Sequence, residues 1–166
     1  NGAKSQSAVR ALIRAIDEYY FGPNGPYDYD DYDSNGDGVL DALLLVYSAP
    51  PHVGNIDNEL FWAFCGDSDA GEINRYFWAS YETFWEYNYN PETKEYKTWT
   101  KAEIASGIAK IDPHTLIHEF GHVIGAPDYY DYDYAGANPL GGVDMIAYNV
   151  GDHNSLTKGW YGWVAP

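Results

Sequence analysis

Residues 112–125 read Asp-Pro-His-Thr-Leu-Ile-His-Glu-Phe-Gly-His-Val-Ile-Gly, and no other segment constrains the fold as tightly. Asp112 can accept hydrogen bonds from free N–H groups, Pro113 is tolerated at a first helical position, and Gly125 can close a helix in a left-handed conformation. The segment therefore predicts a bounded helix. At roughly 100° per residue, Leu116, Phe120, Val123 and Ile124 gather into an apolar stripe, the side a helix normally turns to a core. His118 and His122 fall one turn apart on the opposite face, with Glu119 to one side of the pair.

Two histidines four residues apart on a helix, the first followed by glutamate, form the HExxH pattern. Two neutral imidazoles bind a zinc ion in such a site, and the glutamate can act as general base toward a water molecule. Gly125 and Pro127 can turn the chain so that Asp128 folds back as a third ligand. Three protein ligands with one open position is the arrangement of a catalytic zinc site, not of a structural one.

The rest of the chain supplies a scaffold of one-domain size. With 166 residues, 45% of them hydrophobic, it can build a single core. Its one cysteine, Cys65, excludes an internal disulfide and reads as a buried small apolar residue. Apolar spacing at Ala8, Leu12, Ile13, Ile16 and Tyr20 predicts a helix over residues 5–21 with one buried stripe, ended by Gly22-Pro23-Asn24-Gly25-Pro26. The run Ala42 to Tyr47 predicts a strand buried on both faces. Aromatic segments at 60–64, 75–81 and 96–100 predict further strands, and residues beyond Gly125 a loop-dominated half.

Charge narrows the partners. Twenty-five Asp and Glu against nine Lys and Arg give a formal net charge of -16, which repels phosphate backbones and anionic lipid. Nucleic acid is excluded as a partner class, and without a run of about 18 apolar residues no membrane insertion is expected. Residues 1–7 lack the basic start and apolar stretch of a signal peptide, so export implies a leader already removed.

In Asp33-Ser34-Asn35-Gly36-Asp37-Gly38-Val39-Leu40-Asp41, oxygen donors at positions one, three and five precede a glycine at six. The Val39 carbonyl and Asp41 can complete a loop for a hard cation such as calcium. The acid usual at position twelve is missing, because Leu44 stands there. His52, His114 and His153 read as surface or core histidines. No Gly-rich phosphate loop or GxSxG elbow is present, and Cys65 has no nearby base.

The segment from His118 to Asp131, with Gly141-Gly142-Val143-Asp144-Met145-Ile146 further on, resembles the metzincin clan of zinc peptidases and, within it, the immune inhibitor A family of secreted bacterial proteases. The likeness is tightest over residues 112–131, looser over 33–47 and 141–163, and absent over 55–105. It implies an α+β, zincin-like fold in a single catalytic domain spanning 1–166. A twisted mixed sheet, a backing helix and an active-site helix make an upper subdomain over about 1–125. A small irregular lower subdomain follows over about 126–166.

The resemblance also implies a secreted or cell-surface endopeptidase that acts on protein or peptide substrates, with zinc and calcium as cofactors and a monomeric state favoured. Relatives vary in the third zinc ligand, so Asp131 and Asp144 stand beside Asp128 as candidates. Aligned on the glycines and Asp144, the family's Met-turn methionine falls on Ile146 instead of Met145. Tyr148 then corresponds to a tyrosine that can bond the oxyanion of the tetrahedral intermediate. The alternative is a catalytically silent glycan- or protein-binding module with structural zinc and calcium.

Overall fold

The computed structural model describes residues 2–48, 62–86, 88–97, 99–133, 136, 140, 142–148 and 151–165. The architecture is α+β, in two compact units, Asn1–Tyr81 and Glu82–Pro166.

In the first unit, helix α1 (Gly2–Ile16) widens into a π-helical turn over Asp17–Phe21 and stops at Gly22. Strands β1 (Leu43–Tyr47), β2 (Phe64–Ala70) and β3 (Ile73–Ser80) form a mixed sheet in the order β1-β3-β2. β1 runs parallel to β3, with Leu45 opposite Trp78, and β2 is antiparallel to β3, with Cys65 opposite Phe77. Val9 and Ile13 of α1 pack with Leu40, Ala70, Ile73, Tyr76 and Trp78 into the core of this unit.

Three sequence expectations are corrected here. The buried line of α1 is Val9 and Ile13, whereas Ala8, Leu12 and Tyr20 are exposed. Arg10 Nε donates to the Asp67 carbonyl and Arg14 pairs with Asp69, contacts between the helix and β2 that are consistent with that rotation. β1 is not buried on both faces, since it is an edge of the described sheet and Leu44 and Val46 are 45% and 50% exposed. The doubly buried strand is β3, the central one, where Tyr76, Phe77, Ala79 and Ser80 are fully buried. Cys65 on β2 is only half-buried.

The second unit begins with a pair, β4 (Tyr89–Asn90) and β5 (Glu95–Tyr96), followed by helix α2 (Lys101–Ala105). Thr100 caps α2 by accepting from the Glu103 N–H, while the Glu103 carboxylate accepts from Thr100 in return, a capping box. Backbone bonds from Glu86 N to Lys110 O and from Asp112 N to Phe84 O hold the approach to helix α3 (His114–Val123). Two short helices, α4 (Met145–Tyr148) and α5 (Ser155–Trp160), follow within otherwise irregular chain. No helix among the described residues is long and apolar enough to cross a membrane.

Candidate metal centre

α3 starts at His114, one residue later than Pro113 suggested, with the Asp112 carboxylate accepting the His114 N–H at 3.0 Å. Its orientation differs from the expectation. Phe120 and Ile124 of the apolar stripe are 40% and 43% exposed, while His118, Glu119 and Gly121 are buried. The cause is Gly121, which lets Ile146 of α4 and His153 close against the polar side of the helix. A β-carbon at 121 would stand 2.7 Å from Ile146 Cδ1 and 3.0 Å from His153 Cε1.

The helix ends in a Schellman turn. Ala126 N–H donates to the Gly121 carbonyl and Gly125 N–H to the His122 carbonyl, with Gly125 at φ 108°, a conformation that favours glycine. This turn brings Asp128 back to the helix and also aims Ala126 O at His122, whose Nδ1 donates to it at 2.7 Å. His118 Nδ1 donates to the carbonyl of Met145 at 2.9 Å. With both Nδ1 atoms donating, each ring turns an Nε2 lone pair toward the other, and the hydrogen bond on the far nitrogen fixes the tautomer.

The two Nε2 atoms are 3.1 Å apart, and Asp128 Oδ1 lies 3.1 Å from His118 Nε2 and 3.2 Å from His122 Nε2. Around a tetrahedral zinc with bonds near 2.0–2.1 Å, ligand atoms are separated by about 3.3 Å. The three edges thus match such a site closely. Asp128 Oδ1 is buried and faces the two imidazole nitrogens. Among the described residues these three side chains are the one group of His, Cys, Asp or Glu whose ligand atoms converge so that a metal ion can be held.

Electrostatics agree with the geometry. Burial lowers the basicity of both imidazoles, but the Asp128 carboxylate and the carbonyls of Met145 and Ala126 outweigh it, so both stay above the ordinary histidine value. Burial alone would raise Asp128, yet His118, His122 and the Tyr132 hydroxyl hold its carboxyl far below the usual range. Glu119 is buried beside the ligands and adds to the field at both imidazoles.

The other predicted residues take different places. Asp144 is fully buried and accepts from Ile146 N–H, Asn154 N–H and Thr157 Oγ1, joining α4 to α5. Asp131 accepts from the N–H groups of Asp133 and Gly136, shaping a turn. Neither is brought to the pair of imidazoles. Met145 and Ile146 are both fully buried: Met145 contributes the carbonyl that orients His118, and Ile146 the side chain against Gly121. Tyr148 ends α4, and its side chain lies outside the described residues, as does His52. His153 is a core residue set edge-on to Trp163.

In the acidic loop, Asp33 accepts from Gly36, Asp37 and Gly38 N–H, Asn35 Oδ1 from Asp37 N–H, and Asp37 Oδ1 from Val39 N–H. Asp41 accepts from Ser34. The Gly38 N–H foremost, despite slight desolvation, lowers the Asp33 pKa. The loop's oxygens are thus engaged by its own donors.

Sequence reasoning overlooked Ala126, Gly121 and the tyrosines after Asp128. Tyr132 donates its hydroxyl to Asp128 Oδ2, and the Tyr130 ring lies nearly parallel to that of His118. Tyr129-Tyr130-Asp131 entered the sequence reading only as part of the family likeness, with no role for Tyr130 or Tyr132. Comparison with protein-family models, with curated proteins and with solved structures returns no match for this chain. Fold and site together define an α+β chain with a His-His-Asp group able to hold a metal ion.

Proposed function

We propose that this chain is the catalytic domain of a zinc-dependent endopeptidase, zincin-like in fold and akin to the secreted immune inhibitor A proteases. The observation that carries the reading is the convergence of two imidazole Nε2 atoms and one buried carboxylate oxygen within 3.1–3.2 Å. That donor set suits zinc, whereas calcium prefers six to eight oxygens and magnesium a mostly hydrated octahedron.

His118, His122 and Asp128 would hold the ion, and when bound it supplies a Lewis acid that lowers the pKa of a water toward neutrality and polarises the scissile carbonyl. Glu119 follows His118 on the same helix and acts as general base. It takes the proton of the attacking water and passes it to the departing amine. The carbonyls of Met145 and Ala126 hold the proton on Nδ1 and so orient each Nε2 toward the site. A purely structural zinc in a binding module has no use for a carboxylate buried next to its ligands, which favours the hydrolytic reading. In the same proposal the 33–41 loop takes calcium, and protein or peptide outside the cell is the substrate.

The experiment pairs two variants on an unfolded protein substrate. Glu119→Gln should retain one zinc and lose peptide hydrolysis, and His122→Ala should lose most of the zinc. Unchanged hydrolysis by Glu119→Gln would remove the mechanism.

A further inference from the structure

Asp128 treats its two oxygens differently. Oδ1 is buried and faces both ring nitrogens, whereas Oδ2 accepts the hydroxyl of Tyr132. A carboxylate can offer a metal one oxygen or both, and a donor fixed on one of them decides which. We propose that Tyr132 is a positioning residue for this site, engaging Asp128 Oδ2 so that Asp128 presents a single oxygen to the metal.

The surroundings are built to keep the phenol in place. Asp131 accepts from Asp133 N–H at 3.0 Å and from Gly136 N–H at 2.7 Å, closing the turn that carries Tyr132. The residue that the family comparison offers as a rival ligand thus holds the segment that orients the ligand. Tyr130 packs edge-on against Tyr132 at 4.9 Å between ring centres, while its own ring lies parallel to that of His118. The Tyr132 ring is otherwise 68% exposed, so removing the hydroxyl disturbs an orientation and little packing.

A single-oxygen Asp128 beside two imidazoles leaves a four-coordinate centre with one position open. A two-oxygen Asp128 raises the coordination number and loosens the match to zinc. The inference rests on the zinc reading above, and its test separates the two.

The test measures zinc dissociation constants on the full chain by competition with a chromogenic chelator, and visible spectra of the cobalt(II)-substituted protein. Parent, Tyr132→Phe and Tyr129→Phe are compared, with circular dichroism to establish folding. Tyr129 is the control, since its hydroxyl addresses Tyr161 instead. Tyr132→Phe should bind zinc about tenfold or more weakly, and its cobalt bands should lose the intensity of a four-coordinate centre. Tyr129→Phe should match the parent. Equal zinc affinity and equal spectra for parent and Tyr132→Phe would overturn the role of Tyr132 alone. Failure of the parent to bind zinc would overturn the metal site and this inference with it.

Discussion

Gly121 lies in the middle of α3, where glycine is a poor helix former, and replacing it by alanine in an open helix gains about 1 kcal/mol. Here the gain is opposed. The new β-carbon would meet Ile146 Cδ1 at 2.7 Å and His153 Cε1 at 3.0 Å, and both side chains are buried with little room to retreat. Overpacking of this kind costs about 1–3 kcal/mol, so Gly121→Ala should destabilise by a net amount of about 1 kcal/mol. Ile146→Val deletes the Cδ1 atom at a cost of its own of about 1 kcal/mol. In that background the closest clash is gone, and the Gly121→Ala change should be close to neutral.

The interaction between the two substitutions is then about 1 kcal/mol, well above the scatter of about 0.3–0.5 kcal/mol expected of independent sites. Urea unfolding of the four proteins, stripped of metal so that bound zinc does not contribute, measures it. If Gly121→Ala costs the same with Ile or Val at 146, the packing of α3 on α4 does not explain this glycine.

Asp144 and the 33–41 loop give two further expected outcomes. Burial raises the Asp144 carboxyl, but the Asn154 N–H, the Thr157 hydroxyl and the Ile146 N–H reverse this and leave it below its ordinary value. A depressed folded pKa gives stability that is present above the unfolded value of about 3.9 and lost as pH falls through the folded value. Asp144→Asn should therefore cost about 2 kcal/mol at neutral pH and flatten the acid limb of a stability-against-pH curve; an acid limb identical to the parent's would refute the assignment. For the 33–41 loop, millimolar calcium added to calcium-free protein should raise the melting temperature, and Asp37→Ala should abolish the rise. A melting temperature indifferent to calcium would count against that site.

What the sequence made legible was local. The helix end at Gly125, the one-turn spacing of His118 and His122, and the return of the chain at Asp128 follow from turn residues and helical pitch, while the helix starts at His114, one residue later than Pro113 suggested. Burial was misread wherever it depends on a distant neighbour. Periodicity marked Leu116, Phe120, Val123 and Ile124 as the inner face of α3, but Gly121 admits Ile146 and His153 on the other side, and nothing local announces that. A continuous apolar run made β1 look central, although centrality belongs to β3, whose polar Ser80 and Arg75 disguise it. The carbonyls of Met145 and Ala126 escaped notice because backbone acceptors carry no residue signature. Tyr132 escaped because its role depends on a hydroxyl placement that its residue type does not specify.

Zinc K-edge X-ray absorption on the full chain, parent beside Asp128→Asn, tests the central claim most directly. The account predicts one zinc per chain in a four-coordinate shell of nitrogen and oxygen at about 2.0–2.1 Å, with the multiple scattering of two imidazoles and no sulfur. Asp128→Asn should weaken retention of that zinc sharply. A chain that takes up no zinc, a shell containing the Cys65 sulfur, or an Asp128→Asn protein with unaltered zinc and unaltered spectrum would contradict it.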